Sequence, residues 1–241
     1  MQTKSRAIVL RTLKLGDEKI IVDCLTQELG RLAFVCRIPK TPKARVKLQY
    51  FQPLSVLAVE FDYRERQQLQ HFRDIRLALP YASIPFDTAK LTISLFLAEF
   101  LYYGTRAEQY NPNLFDFVER SLAWLDGASV SCANFHLVFM MRFSVYVGFM
   151  PNVEDYRPGC CFDLREGCFV DHTPLHADFL SAEEAPHVAK LARLSYDTMH
   201  LYAMTRHERN HCTEVLLKYY RLHIPGFPEM KSLPVLRELF N

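Results

Sequence analysis

The sequence predicts an α+β protein, a small β-barrel followed by an α-helical domain that carries a short irregular insertion. Three observations predict it. Residues 1–80 hold short apolar runs with a two-residue period, cut by turn signals. After Leu79-Pro80 the apolar spacing lengthens to three and four residues, the spacing of helices that bury one side. Between residues 149 and 180 neither period holds, and prolines, glycines and cysteines gather there instead.

The predicted strands are residues 7–13, 19–25, 31–38, 54–61 and 67–74. Turns at Gly16-Asp17, Glu28-Leu29-Gly30 and Asp62-Tyr63 separate them. Five strands in about eighty residues favour closure, because an open sheet leaves its edge amides unpaired. The expected form is a five-stranded OB-type barrel, a fold that commonly binds single-stranded nucleic acid with a cationic groove for the backbone and aromatic rings for the bases. Phe34 and Phe61 lie in alternating apolar runs and are expected in the core. Tyr50 and Phe51 stand beside a basic stretch, and Tyr50 is the ring expected to meet a base.

Asp87 is a predicted N-cap for a helix running to about Tyr103, where Gly104 stops it. Asn111-Pro112 opens a second helix to about Leu125, with Pro112 at the favoured first position. A third, residues 133–147, is apolar nearly all round apart from His136 and Arg142, so it is the expected buried centre of the helical domain. Gly148 ends it. Helical signals resume at Ser181-Ala182-Glu183-Glu184, an S-x-x-E capping box, and again at Thr205-Arg206-His207-Glu208, which leads to a helix through Tyr220. The tail holds Pro225, Pro228 and Pro234 and ends in a short amphipathic turn. The expected division is a nucleic-acid-binding domain over 1–80 and a helical domain over 81–241 with its insertion at 149–180.

Charge separates the same two parts. Residues 1–80 carry fifteen Lys and Arg against eight Asp and Glu, a balance of +7, so the remainder carries −5 within the chain's net +2. The stretch RIPKTPKARVK contributes Arg37, Lys40, Lys43, Arg45 and Lys47 without an acid, and Pro39 and Pro42 keep it out of a helix. A basic loop between two strands suits a polyanion, whose phosphates pair with successive cations and release counterions. A solvated, solubilising turn is the alternative. Arg11, Lys14, Lys19 and Arg31 extend the basic surface on neighbouring strands and turns. The start MQTKSRAIVLRT does not read as a signal peptide, and Glu99 and Arg142 interrupt the longest apolar runs short of a bilayer span. Seven cysteines, an odd number, favour reduced thiols and a cytoplasmic location.

Two further patterns could carry chemistry. His207-Glu208-Arg209-Asn210-His211 is a literal H-E-x-x-H, which on a helix sets two imidazoles on one face for zinc with a carboxylate to activate water, as in a zinc metallopeptidase. Arg209 and Asn210 between the ligands, and no third ligand downstream, weigh against it. Cys160, Cys161 and Cys168, with His172 and His176 nearby, could bind zinc, but adjacent cysteines do not supply C-x2-C geometry. No catalytic carboxylate pair, nucleophile motif or glycine-rich phosphate loop is present. That favours a binding protein over an enzyme, with no cofactor required.

The chain resembles the bacterial RecO recombination mediators nearly end to end. AIVLRTLKLGDEKIIVDCLTQELGRLAFVCRIPK is similar to that family's strand, turn, strand, T-x-E-x-G, strand and basic loop, with Thr26, Glu28 and Gly30 at the hairpin. LQYFQPLSVLAVEF matches the strand that follows. The ALPY linker, LAEFLYYGT, GFMPNV before the cysteine-bearing segment, and Lys231-Ser232 resemble the family's later landmarks in order. The resemblance implies a non-enzymatic mediator of DNA repair and recombination that is nucleoid-associated. Such proteins bind single- and double-stranded DNA, anneal complementary strands and contact the acidic tail of single-strand DNA-binding protein. With RecR they load the recombinase RecA. Tyr156 and Gly159 stand where family members carry the first C-x2-C pair, so the resemblance implies an insertion kept as a fold without its zinc. The proline-bearing loop also departs from the family's Gly-Ala segment.

Overall fold

The computed structural model describes residues 2–37, 47–106 and 110–239. Eight strands and six helices occur among them. They are β1 (Gln2–Leu15), β2 (Lys19–Thr26), β3 (Gly30–Arg37), β4 (Val56–Asp62), β5 (Leu69–Leu79), α1 (Thr88–Gly104), α2 (Pro112–Gly127), α3 (Phe135–Tyr146), β6 (Cys161–Asp163), β7 (Cys168–Val170), β8 (Phe179–Leu180), α4 (Ala185–Arg193), α5 (Arg206–His223) and α6 (Leu233–Glu238). Two compact units result, Met1–Gly127 with Met230–Leu236, and Ala128–Glu229 with Arg237–Asn241.

In the first unit the strands close into a barrel of order β1-β2-β3-β5-β4. All neighbours run antiparallel except β3 and β5, which meet in parallel through only Ala33↔Leu69, Phe34↔Gln70 and Val35↔His71. Ala7, Val9, Ile20, Val22, Cys24, Phe34, Phe61 and Ile75 fill the interior. Gly30 supplies the positive φ of 67° that closes the β2–β3 hairpin. There the Thr26 hydroxyl donates to the Gly30 carbonyl at 2.6 Å and accepts from the Leu29 amide at 3.3 Å, which is the physical content of the T-x-E-x-G pattern. The structure lengthens the first predicted strand: β1 begins at Gln2 because Gln2–Arg6 pair with Ala58–Asp62 of β4.

The linker into α1 is held by one carboxylate. Asp126, at the end of α2, accepts from the backbone amides of Ala82 (2.8 Å), Ser83 (2.8 Å) and Ile84 (2.9 Å). Burial disfavours its ionised form, but those amides and the Ser83 hydroxyl outweigh it and hold the carboxyl below its ordinary value. Lys90, buried on α1, donates to the Ser83 hydroxyl (2.8 Å) and the Asp126 carbonyl (3.1 Å). Asp126→Ala leaves three amides without their acceptor, and the expected loss is about 2 kcal/mol of stability in urea denaturation at neutral pH. Because the folded-state value is depressed, this contribution is present above the unfolded carboxylate value and is lost as pH falls through the folded one.

The expected caps at Asp87 and Asn111 are in place, whereas α4 starts at Ala185 with Glu184, not Ser181, at its cap position and no side-chain cap bond. Asp87 accepts from the Lys90 amide (3.0 Å), and Asn111 from the Leu114 amide (3.0 Å). Glu99 of α1 accepts from the Lys231 and Ser232 amides at 2.9 and 2.7 Å, so the Lys231-Ser232 pair is an anchoring point for the returning C-terminal segment of this unit.

The second unit is built on α3, whose Phe135, Leu137, Val138, Phe139, Met140 and Phe143 are fully buried, as its all-round apolar sequence predicts. Gly148, at φ 84°, ends the turn after it. The insertion is more ordered than its sequence suggests, with a three-stranded sheet of order β7-β6-β8. Strands of two or three residues are too short to show a period. Among the described residues no helix is long and apolar enough to cross a membrane.

Candidate nucleic-acid interface

The β1–β2 hairpin and the end of β3 gather cations on one rim of the barrel. Lys14 faces Ile20, Leu15 faces Lys19, and Lys19 in turn faces Arg37. Lys14, Lys19, Arg37 and, where the described chain resumes, Lys47 are all exposed, and none makes an ion pair among the described residues. Asp17 and Glu18 lie in the hairpin turn between Lys14 and Lys19. Lys40, Lys43 and Arg45 lie outside the described residues.

Arg11 and Arg31 are used differently. Both face outward onto Tyr102 of α1, their guanidinium carbons 5.0 and 4.2 Å from its ring centre, and Arg31 donates to the Tyr102 carbonyl at 2.5 Å. Asp23 faces Arg11 across the hairpin, and burial pushes its carboxyl up against the opposing pull of Arg31 and Arg11. This clasp of two arginines on one ring fixes the barrel to α1 within the unit. Arg6 adds a second clasp, bound by Glu119 and Asp116 of α2.

Tyr50 sits in the 3-10 turn Leu48–Phe51, its amide donating to the Lys47 carbonyl at 3.0 Å. It is half-buried against the barrel core and lines a groove of 470 Å³ that also takes in Gln49, Pro53, Tyr81, Phe86 and Ser94. Phe51 is buried, with its ring 6.3 Å from Phe72.

Comparison with known proteins bears on this arrangement. The family model "Recombination protein O N terminal" matches residues 1–81 and "Recombination protein O C terminal" matches residues 85–234. The chain belongs to the RecO family. A DNA repair protein RecO from Phocaeicola vulgatus is 47% identical over 241 residues, and one from Bacteroides fragilis is 43% identical over 242, each comparison covering all of both chains. A DNA repair protein RecO from Porphyromonas gingivalis is 31% identical over 242 residues, covering 98% of each chain. RecO membership supports a role in DNA repair and recombination, and the closed five-stranded barrel fits the OB-type N-terminal domain of the family.

In this RecO chain the H-E-x-x-H motif is a helix start. The Thr205 amide and hydroxyl donate to Glu208 at 2.7 and 2.8 Å, and the Glu208 amide returns a bond to the Thr205 hydroxyl at 3.2 Å. His211 is paired with Glu184 at 2.9 Å, and that carboxylate also accepts from the Ser181 amide and hydroxyl. The metallopeptidase alternative is corrected on this ground, since the glutamate that would activate water is engaged in capping. Arg209 between the histidines is buried and donates to Asn134 Oδ1 (3.0 Å) and the Met204 carbonyl (2.9 Å).

The cysteine cluster is likewise dispersed. Cys160 is buried, Cys161 and Cys168 stand on separate strands opposite Val170 and Asp163, and His172 pairs with Asp171 at 3.2 Å. Burial first, then Asp163, Glu166 and Asp155, push the Cys168 thiol up, the reverse of what a metal-binding thiolate needs. His176 bonds Asp163 at 3.0 Å. Among the described residues no group of three His, Cys, Asp or Glu side chains could hold a metal ion. The alternative zinc set of Cys160, Cys161, Cys168 and His172 is therefore not assembled.

Tyr102 and Asn134 carry no signal in sequence, because each acts through partners far along the chain. Arg142 lies on an exposed part of α3, its guanidinium 5.8 Å from the Tyr196 ring and donating to the Leu194 carbonyl at 3.2 Å.

Proposed function

We propose that the chain is a non-enzymatic recombination mediator that binds single- and double-stranded DNA through its barrel, residues 1–80. It anneals complementary strands and, with RecR, loads RecA onto DNA covered by single-strand DNA-binding protein, whose acidic tail docks on the helical part, residues 81–241. It works in the cytoplasm at the nucleoid. The observation that supports this reading is the exposed set Lys14, Lys19 and Arg37 on one rim, with Lys47 exposed where the described chain resumes, none of them in an ion pair among the described residues. Such cations neutralise phosphates without reading bases, so binding is salt-sensitive and sequence-tolerant. Screening the repulsion between two strands is what annealing requires. Lys40, Lys43 and Arg45 add charge to the same stretch of sequence. Arg11 and Arg31 contribute their field while holding Tyr102.

Fluorescence anisotropy with a single-stranded oligonucleotide, titrated at several salt concentrations, tests the reading. Replacing Lys14, Lys19, Arg37 and Lys47 together by Gln is expected to flatten the log-affinity against log-salt slope by about 3 and to weaken binding near 0.1 M salt by roughly 10²- to 10³-fold. A second variant with Lys40, Lys43 and Arg45 reversed to Glu is expected to weaken binding further. Affinity and slope unchanged in both would assign the basic stretch to solubility and end the reading.

A further inference from the structure

We propose that the 470 Å³ groove beside Tyr50 receives an unstacked nucleobase from a bound single strand. This rests on the DNA-binding reading above and names what the strand does once its phosphates are held. The volume lies within the ~300–1,000 Å³ of small-ligand pockets. Among the described residues no charged side chain lines the groove, so those residues offer no partner to the phosphate itself.

What does line it suits a base. Tyr50, Tyr81 and Phe86 offer rings, and Gln49 and Gln52 offer amides that both donate and accept, as a base edge does. Phe86 is 85% exposed, a large ring that no core accounts for. Ser94 of α1 also lines the groove, its side chain only 3% exposed and its hydroxyl oxygen enclosed. Gln49 and Tyr50 belong to the 3-10 turn that Lys47 caps, so a strand whose phosphate is paired with Lys47 presents its base within one turn of the rings.

Stacking and amide contacts of this kind hold any base, so the groove adds affinity without sequence preference. It also gives an annealing protein a way to keep a base unstacked yet releasable.

The test compares a thymidine oligomer of about 12 nucleotides, within the range such barrels cover, with an abasic sugar-phosphate of the same length and charge. For the full chain, the base-bearing strand is expected to bind roughly 5- to 100-fold tighter. Phe86→Ala, on an exposed side chain that does not support the fold, is expected to remove most of that ratio while leaving the salt slope unchanged. A 4-thiothymidine photo-crosslink is expected in the peptides holding Tyr50 or Phe86. If both strands bind equally, and Phe86→Ala changes nothing, the groove belongs to a protein segment and the proposal is overturned while DNA binding by the rim stands. A base preference that survives Phe86→Ala, with crosslinks elsewhere, overturns it too. If neither strand binds, the mediator reading itself has failed.

Discussion

Acidification from pH 7 to pH 5 is expected to cost the helical unit about 2 kcal/mol of stability through His136 alone, and about 3 kcal/mol by pH 4. His136 lies on α3 at 1% exposure, its Nε2 3.0 Å from the Thr213 hydroxyl. That hydroxyl spends its hydrogen on the Arg209 carbonyl at 2.8 Å, so Nε2 carries a proton and donates. Burial first, and then the Arg209 guanidinium, drive the imidazolium value down from 6.5 to about 3. Between those two values the unfolded chain binds a proton that the folded one refuses. The stabilisation is therefore complete above about 6.5 and is lost progressively as pH falls toward 3. Arg209 cannot relieve the cost, because its own charge is fixed between Asn134 and Met204. Urea denaturation followed by circular dichroism at pH 7 and pH 5 measures the loss. His136→Gln, which keeps a donor for Thr213 and does not titrate, is expected to shed about 2 kcal/mol of the pH dependence. Equal pH dependence in the two proteins would show that the imidazole titrates freely and is not buried as described.

Why some of this was legible in the sequence and some was not has a physical reason in each case. Period-two runs announced β2 to β5, and the caps at Asp87, Asn111 and Thr205 announced helix starts, because both signals are local. The start of β1 was missed because its inward residues Thr3 and Ser5 are small and polar, so no apolar alternation marks them. Lys14, Lys19 and Arg37 could be read as basic from composition, and the hairpin register brought them to one rim. Arg11 and Arg31 looked the same in sequence, yet their shared partner Tyr102 lies 71 positions beyond Arg31, a distance no local pattern encodes. His207 to His211 shows the opposite failure. A literal motif matched, while the property that decides between a metal site and a capping box is what the glutamate oxygens touch. Asp126 is similar, a lone carboxylate after an apolar helix whose three amide partners appear only once the linker folds back.

Phe34→Ala is expected to destabilise the barrel unit by about 4 kcal/mol, the largest effect of any single substitution considered, because of where that ring sits. Phe34 is fully buried, stacked on Phe72 at 4.1 Å and edge-on to Phe61 at 5.0 Å. Its backbone also stands at the middle of the short parallel seam between β3 and β5, where the barrel closes. Removing the ring leaves a cavity and uncouples two aromatic partners, one of them on β5 itself, at the place with the fewest strand pairs to compensate. Arg37 lies three residues along the same strand, so a loosened seam also displaces part of the cationic rim. Phe34→Leu, which keeps most of the volume, is expected to cost no more than about 1.5 kcal/mol. Phe86→Ala, on a ring exposed to solvent, is expected to stay within about 0.5 kcal/mol of the parent. Trp124 on α2, the chain's one tryptophan, belongs to the same compact unit and reports its unfolding by fluorescence. If Phe34→Ala and Phe86→Ala proved equally mild, closure would rest on backbone pairing alone, and the aromatic stack inside the barrel would be packing without consequence for the rim.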